Sequence, residues 1–344
     1  MPFKDALKGL RARFEGGALE TRRAPRYPDV AIEIAPDRIT GVRLEAERKT
    51  GTLQLRAVES RDLPDGAVEP SLTRPNILVP EPVTQALGSI LAALAPAEPR
   101  VSLLIPDHVA RVALLSFATV PRTRRDLLDL VLFRMAKSLP FKPEEAVTDL
   151  MVVSGGPSSA SGPAGVSVLA VFIHRAVVEQ YEALLGAAGF WPGLVGLSTF
   201  ELYNLVRARL DVPRAEAKDA LLLNLTPHYL SLLIVRHDEM IFYRCKPHSA
   251  EGGSDDLAGI RREIYTSLAF YQEKLLGRGI ARALVRSCGV ESGRVREVVA
   301  GEVGCEVELL ELPRLVPIAG PLSLEAPMAE RCAPAVGAVA GRRA

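Results

Sequence analysis

Val30-Ala31-Ile32-Glu33-Ile34-Ala35-Pro36 and, 191 residues later, Leu221-Leu222-Leu223-Asn224-Leu225-Thr226-Pro227 are one pattern written twice. Each is an apolar strand with a single polar residue near its end, closed by a proline turn. A strand this apolar is buried on both faces and belongs in the middle of a covered sheet. Two more strands follow each copy: Ile39 to Glu45 and Thr52 to Glu59 after the first, Leu230 to Val235 and Met240 to Cys245 after the second. Both meanders then run into helical and strand segments. Such a repeat implies a duplicated fold. Two α/β halves that face one another leave a cleft between them.

The spacing of apolar residues fills in the rest. After the first meander it predicts a helix over Val83 to Leu94, strands at Val101 to Ile105 and Val112 to Phe117, and a helix over Thr123 to Leu139. A strand at Thr148 to Val153, a loop rich in Ser and Gly, a buried strand at Val166 to Ile173 and a helix over Ala176 to Ala188, stopped by Gly189, complete the first half. The second half continues with a helix over Leu257 to Leu276, a strand at Ala283 to Arg286, a helix over Arg294 to Gly301, a strand at Val307 to Leu310 and a small-residue helix over Ala329 to Gly341.

Residues 1–28 stand apart. Phe3, Leu7, Leu10 and Phe14 recur on one face of a helix, with Lys4, Lys8 and Arg11 beside them. Gly16-Gly17 breaks the pattern, and Arg22, Arg23 and Arg26 lead into Pro28. This reads as a basic amphipathic segment on a tether. It suits peripheral contact with an anionic membrane or a partner, and equally a helix packed on its own domain.

Composition bounds the function. The 344 residues are 48% hydrophobic and 24% charged, enough to bury a substantial core. Lys plus Arg is 42 against 41 Asp plus Glu, a balance that argues against a nucleic-acid binder. Cys245, Cys288, Cys305 and Cys332 form no CxxC pair, and the spacing of His108, His174, His228, His237 and His248 gives no HExxH or zinc set. No GxSxG elbow occurs, and the glycines after Ser154 do not open a helix, so they make no phosphate loop. No apolar run spans a bilayer and no signal peptide shows, so the expected location is cytoplasmic.

Several segments, in order, carry a family resemblance. They are the strand, turn and strand of Val30 to Leu44; Ile105-Pro106 through Val120-Pro121; the helix end Ser138-Leu139-Pro140-Phe141 with Lys142-Pro143-Glu144-Glu145; the helix ending Ala188-Gly189-Phe190-Trp191-Pro192; and Arg262-Glu263-Ile264-Tyr265-Thr266-Ser267-Leu268-Ala269-Phe270-Tyr271. Over residues 29 to 341 the chain resembles the type IV pilus assembly PilM family and, more distantly, FtsA. The resemblance implies an α/β, actin-like (duplicated ribonuclease H-like) fold with two lobes. It implies subdomain 1A over 29–98, an extra subdomain 1C over 99–195, a return to 1A over 196–217, subdomain 2A over 218–245, a reduced 2B over 246–284, and 2A again over 285–344. It also implies a place at the cytoplasmic face of the inner membrane. There such proteins bind the N-terminal segment of the membrane protein PilN, in a groove between 1A and 1C, and meet other pilus assembly components. The seam between helix 123–139 and strands 101–105 and 166–173 is the expected groove.

Members of the superfamily that hydrolyse ATP cradle its phosphates with backbone N–H groups of two glycine turns and organise Mg²⁺ through an Asp at the end of each first strand. Here the corresponding positions are Glu33, Ala35 and Asp37 in the first turn, Asn224 and Thr226 in the second, and Gly289 where a glycine pair stands. Pro36 and Pro227 have no N–H to offer. A hydrogen bond to a charged group is worth roughly 1.5–3 kcal/mol, so two lost donors cost on the order of 10²–10⁴ in affinity. The segment between Cys245 and Ile260 is also too short for the family's insertion that reaches the nucleotide. The expectation is a scaffold of the PilM type that has lost hydrolysis and needs no cofactor. Two alternatives stand beside it: an active ATPase in which Glu33, Asp37 and Thr226 rebuild a divergent Mg-ATP site, and a GspL-like type II secretion adaptor, which usually continues into a transmembrane helix. Rings or dimers by self-association are open in all of them.

Overall fold

The structure is a computed structural model that describes residues 27–153, 165–248, 254–320 and 322–341. The amphipathic segment of residues 1–26 and most of the Ser/Gly loop lie outside the described residues.

Both halves fold as expected from the repeat. β1 (Val30–Ile34), β2 (Arg38–Ala46) and β3 (Leu53–Asp62) form an antiparallel meander. β4 (Arg100–Ile105) and β8 (Trp191–Leu197) add to it in parallel, giving the order β3-β2-β1-β4-β8. In the second half β9 (Asp219–Leu225), β10 (Tyr229–Arg236), β11 (Glu239–Pro247), β12 (Ile280–Ser287) and β13 (Val307–Leu309) give β11-β10-β9-β12-β13. The two orders are identical, which is the duplicated ribonuclease H-like plan of the actin fold.

The apolar alternation of the central strands decides the layering. Val30, Ile32 and Ile34 of β1 face α1 (Pro80–Leu94) and α3 (Arg175–Ala187), while Ala31 faces the other lobe. Leu221, Leu223 and Leu225 of β9 face α5 (Ser254–Lys274) and α6 (Ser292–Val303), while Leu222 faces inward. Between the two sheets lie α4 (Ser198–Val206) and α7 (Ala326–Ala340), so a single core joins both lobes. The third sheet, β5-β7-β6, is an insert into the first lobe: β5 (Ala110–Phe117), β6 (Ala146–Val153) and β7 (Val166–His174), covered on one face by α2 (Arg124–Met135).

Sheet membership corrects the expected limits of that insert. β4, α3 and β8, placed by sequence in subdomain 1C, belong to the first lobe's sheet and to its outer core. The reason lies in β4, whose Val101 to Ile105 are all buried and which pairs directly with β1. The strand Trp191–Leu197 escaped the periodicity because Pro192, Gly193 and Gly196 interrupt its apolar pattern.

α4 and α7 cross so closely that only glycine fits at the contact. A Cβ on Gly337 of α7 would lie 2.1 Å from the Glu201 carbonyl oxygen on α4. Gly337→Ala is therefore expected to lower stability by about 1–3 kcal/mol, read from the urea midpoint. Gly88→Ala in α1, where a Cβ meets nothing within 4 Å, is expected to be neutral or to stabilise.

Candidate functional site: an inter-lobe seam and an adjoining groove

The two proline turns face each other across the lobes. In the first, Ala35 N–H donates to the Arg38 carbonyl at 2.9 Å. In the second, Thr226 N–H donates to the Tyr229 carbonyl at 2.9 Å, and Thr226 Oγ1 accepts the N–H groups of His228 and Tyr229 at 3.2 and 3.0 Å. The N–H donors of the second turn are thus used within it, and Pro227 has none. The turns also touch. His228 Nε2 lies 3.3 Å from Asp37 Oδ1, while Arg38 donates to Asp37 at 2.6 Å and to Cys288 Sγ, on the far lobe, at 3.1 Å. Partial burial acts to raise the Asp37 pKa, but His228 and the Arg38 guanidinium outweigh it and hold the carboxyl at about 2. Gly289 has φ +80, and a Cβ there would meet Pro227 at 2.7 Å, so this glycine makes room for the second turn.

Beneath the turns runs a buried polar network. At the end of β1, Glu33 accepts from Ser198 Oγ at 2.6 Å. At the corresponding place in β9, Asn224 is fully buried; its Oδ1 accepts from Arg286 Nη1 and its Nδ2 donates to Thr199 Oγ1, both at 2.7 Å. Asp107, in a short turn after β4, accepts Thr199 N–H at 3.0 Å and Ser231 Oγ at 2.6 Å. Ser198, Thr199, Glu33 and Asp107 belong to the first lobe; Asn224, Ser231 and Arg286 belong to the second.

Two backbone deficits explain parts of this arrangement. Leu197 precedes α4 and offers no side-chain cap, so Asp107 satisfies an open N–H of the first turn from 92 residues away. Pro334 lies inside α7 and cannot donate to the Glu330 carbonyl, which instead accepts from Arg286 Nε at 2.6 Å.

All six site positions expected from sequence gather at this seam: Glu33, Ala35 and Asp37 on one side, Asn224, Thr226 and Gly289 on the other. Sequence reasoning missed Asp107, Ser198, Thr199, Ser231 and Arg286. The legible signal was a lone charge or hydroxyl inside or at the end of an apolar strand, Arg286 in β12 above all.

A cavity of about 660 Å³ opens beside the seam. Met151 of β6 and Leu169, Val171 and Ile173 of β7 line one wall. Val178 and Glu182 of α3, Val195 of β8 and Phe200, Tyr203 and Arg207 at α4 line a second. Asp238 and Met240, at the hairpin of β10 and β11, supply a third wall from the other lobe. Five carboxylates line it (Asp149, Glu182, Glu201, Asp211 and Asp238) against Arg207 alone among the basic side chains. Burial and the neighbouring Glu179 raise the Glu182 pKa. The expected seam differs: α2 packs its Leu127, Val131 and Met135 on the opposite face of β7, and strand 101–105 is buried in the first lobe. Of the expected walls only 166–173 lines the cavity. At the start of α2, Arg124 pairs with Asp149 and so belongs to the insert.

Replacing Arg286 by Met leaves Asn224 Oδ1 and the Glu330 carbonyl without their donor. Each orphaned acceptor costs about 1–3 kcal/mol, and the urea midpoint is expected to fall accordingly. Asp107 answers differently. Burial raises its pKa in the fold, so folding favours the protonated form. That contribution is complete below the unfolded value near 3.8 and is lost as pH rises through the higher folded value. Asp107→Asn is thus expected to stabilise the protein at neutral pH, with the gain shrinking as the pH falls toward the ordinary carboxylate range.

No family model and no curated protein matches the sequence. Among solved structures, a chain of the PilM–PilN type IV pilus biogenesis complex superposes with a TM-score of 0.73 at 17% identity, covering 92% of this chain and 98% of that one. A protein of actin-like ATPase fold and unknown function from Bacteroides thetaiotaomicron gives 0.47 at 9% identity, covering 85% of this chain and 94% of its own. The cytoplasmic domain of EpsL, an inner-membrane component of the type II secretion system of Vibrio cholerae, gives 0.46 at 11% identity, covering 88% and 92%. These last two mark only a broad likeness. The chain has the actin-like fold, in the form seen in the pilus biogenesis complex.

Proposed function

We propose that this chain is a scaffold of a type IV pilus assembly machine, held at the cytoplasmic face of the inner membrane by a PilN-like partner whose short N-terminal segment sits in the groove. The observation that carries the reading is the groove itself. It is apolar-walled, large enough for several side chains, and bounded by the insert, the first lobe and the second lobe together. A groove of that shape takes a peptide segment by its apolar anchors. The fold shared with the pilus biogenesis complex supports the choice of partner.

The scaffold works without hydrolysing ATP. The residues at the seam fit Mg-ATP poorly: prolines occupy both turns, the second turn's N–H groups are consumed within it, and Asn224 is engaged on both amide atoms. A ligand at the seam would have to displace these bonds before gaining its own.

The test is binding of a fluorescent peptide, the cytoplasmic N-terminus of a one-span membrane protein encoded beside this one. The expected result is saturable binding that Met151→Arg weakens at least tenfold with an unchanged unfolding midpoint. No binding at low salt would remove the reading's main support. Millimolar Mg-ATP is expected to leave the unfolding midpoint where it is. A ligand at 100 times its Kd would add about 2.7 kcal/mol, so low-micromolar binding that Glu33→Ala abolishes would be visible and would overturn the second half of the proposal.

A further inference from the structure

Among the described residues, the outer face of α5 is open to solvent along its length. The helix buries Ile260, Ile264, Leu268 and Tyr271 in the core of the second lobe. Both of its flanks are taken: Arg261 reaches Glu302 of α6 at 2.6 Å, and the Phe270 ring meets Phe242 of β11 at 5.8 Å. Between the flanks run Ala258, Arg262, Tyr265, Ala269 and Gln272, and Leu276 follows just past the helix end. Their steps of four, three, four, three and four residues are the spacing of a seam between two packed helices. Tyr265 is 64% and Leu276 52% exposed, although both side chains are large. Among the described residues neither Arg262 nor Glu273, which adjoins the seam on the same side, has an ion-pair partner.

The series is complementary to its own reverse. A second copy of α5, turned end for end about Ser267, sets Tyr265 against Ala269, Arg262 against Gln272, and Ala258 against Leu276. Each large apolar residue then faces a small one. Antiparallel helices bring like flanks together, so Glu273 of each copy lies beside Arg262 of the other. A parallel pairing would instead stack Tyr265 on Tyr265 and Arg262 on Arg262.

We infer that the outer face of α5 binds a second copy of this chain, in a two-fold, antiparallel helix pair. The interface is isologous, so each attractive contact occurs twice. One helix pair belongs to the small, transient class of interfaces, under ~1,200 Å², and the dimer is correspondingly weak in dilute solution. Copies held close together in an assembly associate at a far higher effective concentration. No residue of this face lines the groove, so each copy keeps its groove free and the inference stands or falls apart from the peptide reading.

The experiment is sedimentation equilibrium of the full chain from about 1 µM to about 1 mM, where a reversible monomer–dimer equilibrium is expected. Arg262→Glu and Glu273→Arg are each expected to weaken the dimer at least about tenfold with an unchanged unfolding midpoint, because symmetry turns two attractive contacts into two repulsive ones. The double variant is expected to restore the dimer. So is an equimolar mixture of the two single variants, since one copy then carries both acids and the other both bases. A chain that stays monomeric at about 1 mM would overturn the inference. So would a dimer indifferent to both reversals, or one that neither the double variant nor the mixture rescues. With p-benzoylphenylalanine in place of Tyr265, irradiation is expected to give a cross-linked dimer whose link maps to α5. Links confined to other surfaces, or formed only with added phosphatidylglycerol vesicles, count against it.

Discussion

The Asn224 amide is the pivot of the structure. It is fully buried at the place where the two lobes meet, and it holds Arg286 on one side and Thr199 on the other. Burying Arg286 costs free energy unless its donors find acceptors. They find Asn224, the Glu330 carbonyl that Pro334 leaves open, and the Arg331 carbonyl. Thr199 passes the connection to Asp107, and Asp107 returns it to the second lobe through Ser231. The lobes are thus joined by side chains along the seam. Above that seam, Arg38 and Cys288 and the pair Asp37 and His228 add a second tier of contacts.

α4 ties this seam to the groove. Its first residues, Ser198 and Thr199, bond to Glu33, Asp107 and Asn224. Its next turns supply Phe200 and Tyr203 to the groove wall, and Arg207 follows directly after its last residue. Gly337 pins the same helix against α7. A segment that enters the groove therefore presses on the element that fixes the lobes, and the hairpin carrying Asp238 and Met240 brings the second lobe to the same ligand. Lobe geometry and peptide binding share one helix, whatever segment fills the groove.

Much of this was legible in the sequence. The duplicated strand and proline turn fixed the two sheets, because apolar alternation and turn chemistry act locally. That the two proline turns meet was legible for the same reason, whereas Gly289, which follows β12, reaches the second turn only through packing. The boundaries of the insert were not. β8 hides behind Pro192, Gly193 and Gly196, and whether β4 belongs to the insert or to the lobe is settled only by its pairing with β1. The network was not legible either, since Asp107, Thr199, Asn224 and Arg286 are far apart in the chain and meet only through tertiary packing. The groove wall from the second lobe came from a tight hairpin turn whose reach no spacing rule conveys. His237 and Asp238 hold positive φ there, as such turns require.

The claim that the protein's own side chains set the relation between the lobes is tested most directly by the distance between them. Dye-bearing unnatural side chains at Lys49, after β2, and at Arg296, on α6, report that distance by single-molecule energy transfer. The account predicts one narrow distribution that Mg-ATP leaves unchanged and that Arg286→Met broadens. A distribution that narrows or shifts on adding Mg-ATP, and ignores the loss of Arg286, would contradict it.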